Sequence, residues 1–125
     1  MDKAYDVVVL GAGPAGLATA LALRNHGDYH ILEIDAGQQI RERAGESAPP
    51  DLLFPLRRLQ LEEAFLNAGH AQSPGSAVLW GRDLVGYNDN LLNPLGPSWR
   101  LNRGAFDAML LTAALERKIQ MLWNT

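Results

Sequence analysis

Cysteine is absent from this sequence. That excludes a disulfide, a thiolate nucleophile and a zinc–thiolate site, and it fits a reducing compartment. Lysine is scarce, with Lys3 and Lys118 the only two. The arginines are scattered, no basic run interleaves with aromatics, and the net charge is −3. Neither nucleic acid nor an anionic membrane surface is therefore expected as a partner. No uninterrupted apolar run is long enough to cross a bilayer. His26, His30 and His70 lack metal-ligand spacing, and no Ser/His/Asp arrangement can be argued. Hence no metal site and no catalytic acid, base or nucleophile is assigned. Internal repeats and low-complexity tracts are missing too.

The opening residues, through Leu23, are apolar after a single lysine, in the manner of a secretory signal. Acidic flanks, early glycines and the lack of a basic leader segment argue instead for folded structure and a cytoplasmic protein. The 125 residues leave room for one domain, with an apolar share typical of a globular chain.

Tyr5–Leu10 (YDVVVL) is β-branched and apolar without alternation, as in a strand of a parallel sheet buried on both faces. Pro14–His26 is rich in alanine and leucine and reads as a helix, with Pro14 harmless in the first turn and Gly27 a left-handed cap. Tyr29–Ile34 is a second strand. Together they make a βαβ unit with a right-handed crossover. Ala36–Pro50 reads as a loop, Asp51–Gln60 as a helix that Pro55 interrupts or displaces, and Leu61–Ala68 as a short helix closed by Gly69. Ala77–Trp80 and Leu84–Tyr87 read as strands of a smaller sheet. Asn102 then caps a helix over Arg103–Lys118, whose Phe106, Met109, Leu110 and Ala113 share one face. Ile119–Trp123 forms a third strand of the parallel sheet, with Val7–Leu10 expected at its centre. The fold class is α/β: a Rossmann-like unit with an inserted, partly β segment over residues 35–97.

Gly11-Ala12-Gly13-Pro14-Ala15-Gly16 matches G-x-G-x-x-G between the first strand and the helix. The first glycine permits the tight turn, the second lets backbone approach a pyrophosphate, and the third lets the helix pack on the strand. Free amides and the helix dipole favour an anion there. Glu33 lies 22 residues beyond Gly11, at the end of the second strand, where an acid accepts hydrogen bonds from ribose hydroxyls. A carboxylate at that place disfavours a 2′-phosphate, and so NADP. The bland alternative, a glycine-rich turn with a solvated glutamate, leaves the conjunction unexplained. The motif alone does not separate FAD from NAD.

From Tyr5 to Asp35 the chain resembles the FAD-binding start of the para-hydroxybenzoate-hydroxylase-like flavoproteins, which include aromatic monooxygenases and flavin-dependent halogenases. Two further segments are similar to the halogenase-like branch: Arg43-Ala44-Gly45-Glu46-Ser47 with Pro49 and Pro50, and Trp99-Arg100-Leu101-Asn102-Arg103 with Phe106-Asp107. Within that branch the likeness is strongest to flavoproteins that modify tryptophan in quinone-cofactor amino-acid oxidases. The resemblance implies FAD as cofactor. Gly11, Gly13, Ala15 and Gly16, with Pro14 in the same stretch, would hold its pyrophosphate and Glu33 its adenosine ribose. Arg43 and Ser47 would lie at the flavin side, and Arg103 would approach from the second segment, where a guanidinium can fork onto oxygens. On residue chemistry alone, Arg41-Glu42-Arg43 reads equally as a solvated loop, and Arg103 as a first-turn surface residue.

The resemblance further implies an N-terminal part, residues 1–125, of a longer two-domain flavin-dependent oxidoreductase or monooxygenase. Its substrate would be an aromatic compound, small or protein-borne. Lysine beyond the G-E-S segment, on which halogenases rely, has no counterpart here, and Arg100 stands where histidine is frequent. These departures weigh against halogenation. The alternatives are a non-catalytic truncated remnant and an NAD-binding dehydrogenase domain.

Overall fold

The computed structural model describes residues 3–37, 43–81 and 83–125. Three strands, β1 (Val7–Leu10), β2 (Ile31–Asp35) and β8 (Gln120–Trp123), form a parallel sheet. Its order is β1-β2-β8, with Val9 opposite Glu33 and Glu33 opposite Met121. Among the described residues the strand expected at the centre is thus an edge: β2, not β1, pairs on both sides. Nor is β1 buried on both faces, since Val8 is 50% and Leu10 78% exposed. Its apolar run reflects membership of the sheet rather than cover over it.

Alternation along the strands divides the sheet. Val9, Ile31, Glu33 and Met121 face the helices α1 (Pro14–His26) and α4 (Arg103–Glu116), where Leu17, Ala20, Leu21, Leu110, Ala113 and Ala114 form the core. On the opposite face Val8, Leu10 and Leu122 remain exposed. Helix α1 begins with Pro14 in its first turn and spans the expected residues. Gly27, however, is extended (φ −177°) rather than left-handed. The chain straightens at once toward β2, and the Tyr29 ring lies 3.1 Å from where a Cβ on Gly27 would stand. Arg24, in the last turn, donates to the carbonyls of Arg117 and Tyr29 and ties this corner to the end of α4.

Between β2 and β8 the chain builds a second layer. β3 (Glu46–Ala48) lies inside the stretch expected to be a loop, and it pairs antiparallel with β7 (Ser98–Leu101), whose other edge takes β4 (Ala71–Ser73). A hairpin of β5 (Gly75–Val78) and β6 (Gly86–Asp89) replaces the expected strands, shifted by two residues at each start. The helix expected over 51–60 is a 3₁₀ turn at Pro50–Leu52 followed by α2 (Leu53–Arg58). Pro55 falls in the first turn of α2, where its missing N–H costs nothing. Helix α3 (Glu62–Asn67) ends before Gly69, which takes φ +79°. The fully buried Phe65 stacks on His70 at 4.7 Å and meets Trp99 edge-on at 5.0 Å. This aromatic cluster seats the second layer against Phe106 of α4.

Candidate functional site

At the carboxyl ends of β1 and β2, Gly11 leaves the sheet at φ +102° and its N–H donates to the Ile34 carbonyl at 2.7 Å. Gly13 opens α1, and the amides of its first turn have no intrahelical acceptor. A Cβ on Gly16 would stand 1.8 Å from the Gly11 carbonyl oxygen and 2.7 Å from Glu33 Oε1. Only glycine allows that approach. Above Gly11 and Gly13 no atom of the described residues, their own chain neighbours aside, lies within 4 Å of such a Cβ position, so among these residues the outer side of the turn is open.

Glu33 is fully buried beside this turn, and neither carboxylate oxygen has a hydrogen-bond partner among the described residues. Burial first, and then the neighbouring Asp35 carboxylate, push its pKa up to about 7. An unpartnered buried carboxyl is costly. Two oxygens placed this way can accept from hydroxyls presented at the turn, while the amides of Gly13, Ala15 and Gly16 can meet an anion.

Asp35, two residues on and on the same side of β2, was not among the residues expected here. Its Oδ2 accepts from the Ala12 amide at 2.8 Å and its Oδ1 from the Gly37 amide at 2.7 Å. The alternation of a strand, which puts residues 33 and 35 on one face, was the signal available for it.

The other expected residues gather elsewhere. Pairing of β3 with β7 sets Ser47 opposite Arg100, and the two narrow sequence segments thereby become neighbours. Arg103, at the start of α4, donates to Asp107 Oδ1 at 3.2 Å and to Glu46 Oε2 at 2.5 Å. Arg43 reaches the same Asp107 at 3.6 Å. Both guanidiniums therefore share one carboxylate. Ser47 is exposed and lines a cleft of about 650 Å³ with Ser73, Asn90 and Arg100. Among the described residues no hydrogen bond or ion pair joins this group to the glycine turn and Glu33. Glu46 and Asp107 belong to the two narrow segments without an expected part of their own, and His70, set aside above for lacking metal-ligand spacing, has a structural one. That ring's Nδ1 accepts from the Asn102 amide at 3.1 Å and so fixes the corner from which Arg103 projects. Burial lowers its pKa and so favours the neutral ring.

Among the described residues no helix is long and apolar enough to cross a membrane, and no cluster could hold a metal ion. Comparison with known proteins gives the fold its context. The chain is 32% identical over 116 residues to LodB of Marinomonas mediterranea, designated an FAD-dependent oxidoreductase, covering 92% of this chain and 31% of that protein. It is 33% identical over 118 residues to the 1H-pyrrole-2-carbonyl-[peptidyl-carrier protein] brominase of Pseudoalteromonas luteoviolacea, covering 94% of this chain and 28% of that one. The myxobacterial chondrochloren halogenase CndH superposes with a TM-score of 0.86 at 23% identity, over 98% of this chain and 29% of the halogenase, which establishes the shared fold. The chain thus spans under a third of the length of these relatives. Residues 4–125 match the family described as the FAD binding domain, and the chain belongs to that family, a flavoprotein family and not a nicotinamide dehydrogenase domain.

Proposed function

We propose that this chain is the FAD-binding portion of a flavin-dependent oxidoreductase of the monooxygenase type that acts on an aromatic substrate. The observation that carries the reading is Glu33: a fully buried carboxylate, lacking partners among the described residues, set against the glycine turn. The residues present fit the adenosine diphosphate half of FAD. The open side of the turn leaves room for a diphosphate, the first-turn amides of α1 supply donors, and Glu33 supplies the acceptors that ribose hydroxyls need. Arg43, Ser47 and Arg103 are assigned to the flavin half, with Asp107 and Glu46 orienting the guanidiniums. Residues 35–97 are an excursion from the cofactor unit toward a substrate-facing layer. When bound, FAD supplies the electron transfer and oxygen chemistry, and the protein's part is to orient it and exclude water.

The aromatic substrate class is supported by the brominase relative, whose name gives a pyrrole ring held on a carrier protein. A small or protein-borne aromatic compound, including a protein tryptophan, is consistent with that. Halogenation is the second reading, favoured by the names of the brominase and halogenase relatives and opposed by the absence of any lysine between Lys3 and Lys118.

Glu33→Gln and Glu33→Ala, titrated with FAD by flavin fluorescence, are expected to bind about tenfold more weakly or worse, since a charge-assisted hydrogen bond is lost. Wild-type affinity in both variants would overturn the reading. With reduced flavin, oxygen and a panel of phenols and indoles, the full-length polypeptide should yield a product heavier by an oxygen atom. A brominated product in added bromide would decide for the second reading.

A further inference from the structure

We propose that Asp35 is a positioning residue: a carboxylate clamp at the end of β2 that holds the glycine turn in the shape that meets a diphosphate. This rests on the FAD reading of the turn. Two successive amides of the turn are tied to two successive residues of β2, Gly11 to the Ile34 carbonyl and Ala12 to Asp35 Oδ2. The second carboxylate oxygen accepts from Gly37, just beyond the strand. Backbone bonds extend the tie to the third strand, with Asn124 donating to the Gly37 carbonyl and Thr125 to that of Asp35. Residues 35–37 therefore join the carboxyl ends of all three parallel strands, the side of such a sheet at which ligands bind.

The clamp has a chemical consequence. With the Ala12 amide committed to Asp35 and Pro14 lacking an N–H, the donors left for an anion are the amides of Gly13, Ala15 and Gly16. Ala12 is a structural donor in the motif and not a phosphate ligand. Both Asp35 oxygens face backbone N–H groups. Asparagine, nearly the same size, would set its own NH₂ against one of them.

Asp35→Asn and Asp35→Ala in the full chain provide the test, with hydrogen–deuterium exchange on the peptide containing Ala12 and separate titrations with ADP and adenosine. The clamp requires faster exchange at Ala12 with unchanged exchange in α4. It also requires ADP affinity to fall about tenfold, the apparent loss when only about a tenth of the molecules hold the turn in its binding shape, with adenosine affinity changing far less. Unchanged exchange at Ala12 would overturn it, as would an equal loss for ADP and adenosine, which would place Asp35 in general folding or in ribose binding. Should the wild type bind neither FAD nor ADP, the cofactor reading fails, and the exchange measurement still decides for or against the clamp.

Discussion

Glu33 sits where function and stability oppose each other. A fully buried carboxyl without partners among the described residues disfavours the folded state, while the same two oxygens are what a ribose needs. Glu33→Met should therefore raise the stability of the cofactor-free protein by about 1–3 kcal/mol in urea unfolding while weakening FAD binding. Lower stability in the variant would mean that the carboxyl is satisfied in solution. The pH dependence has a definite sign. Folding raises the Glu33 pKa from the ordinary 4.5 to about 7, so the folded state holds the proton more tightly. Stability from this group is full below the unfolded value and is lost as pH rises through the folded one, on the order of 3 kcal/mol in total. Urea midpoints measured across pH 4.5–7.5 should fall more steeply in the wild type than in Glu33→Gln. Parallel curves would contradict the assignment.

At the scale of elements, the junction of β1 and α1 depends on a close approach that only glycine permits. Gly16→Ala places a Cβ within 1.8 Å of the Gly11 carbonyl oxygen. Helix α1 must shift, with an expected loss above about 2 kcal/mol in thermal or urea unfolding and loss of FAD binding; an unperturbed variant would refute the packing. The second junction, β7 to α4, is held by Asn102, whose side chain accepts from the Ala105 amide at 3.1 Å. Asn102→Ala should cost about 1 kcal/mol in the same assay. Both junctions were legible in the sequence because they rest on local chemistry: a glycine pattern at fixed offsets and an Asx cap before an apolar periodicity. What local chemistry could not show was tertiary pairing. Glu46-Ser47-Ala48 has no apolar alternation and becomes a strand only because β7 lies alongside it. The central place of β2 depends on β8, some 85 residues later. Of the candidate site, the residues with motif spacing were readable. Asp35, Asp107 and His70 were not, because their roles come from partners 23, 64 and 32 residues away.

For the whole molecule, the uneven cover of the parallel sheet matters most. One face is packed by α1 and α4, and the other leaves Leu10 78% and Leu122 43% exposed. The hairpin region adds Trp80 and Leu92, at 87% and 98%. Exposed apolar surface of this kind favours association. The 125-residue chain should bind a hydrophobic dye such as ANS, and Leu10→Lys with Leu122→Lys should lower that signal and the tendency to associate on size exclusion. Unchanged dye binding would show that another surface is responsible. Both side chains lie on the face of the sheet opposite the one that carries Glu33.

The central claim is that the ionised Glu33 carboxylate, set against the glycine turn, grips the cofactor. FAD affinity of the full chain measured from pH 5.5 to 8.5, wild type beside Glu33→Gln, tests it most directly. Binding through the ionised form must release the proton that the free site holds. Wild-type affinity should therefore climb by roughly tenfold per pH unit below neutrality and level off above it, while the glutamine variant stays weak and flat. A wild-type affinity independent of pH, or the same profile in both proteins, would contradict the claim.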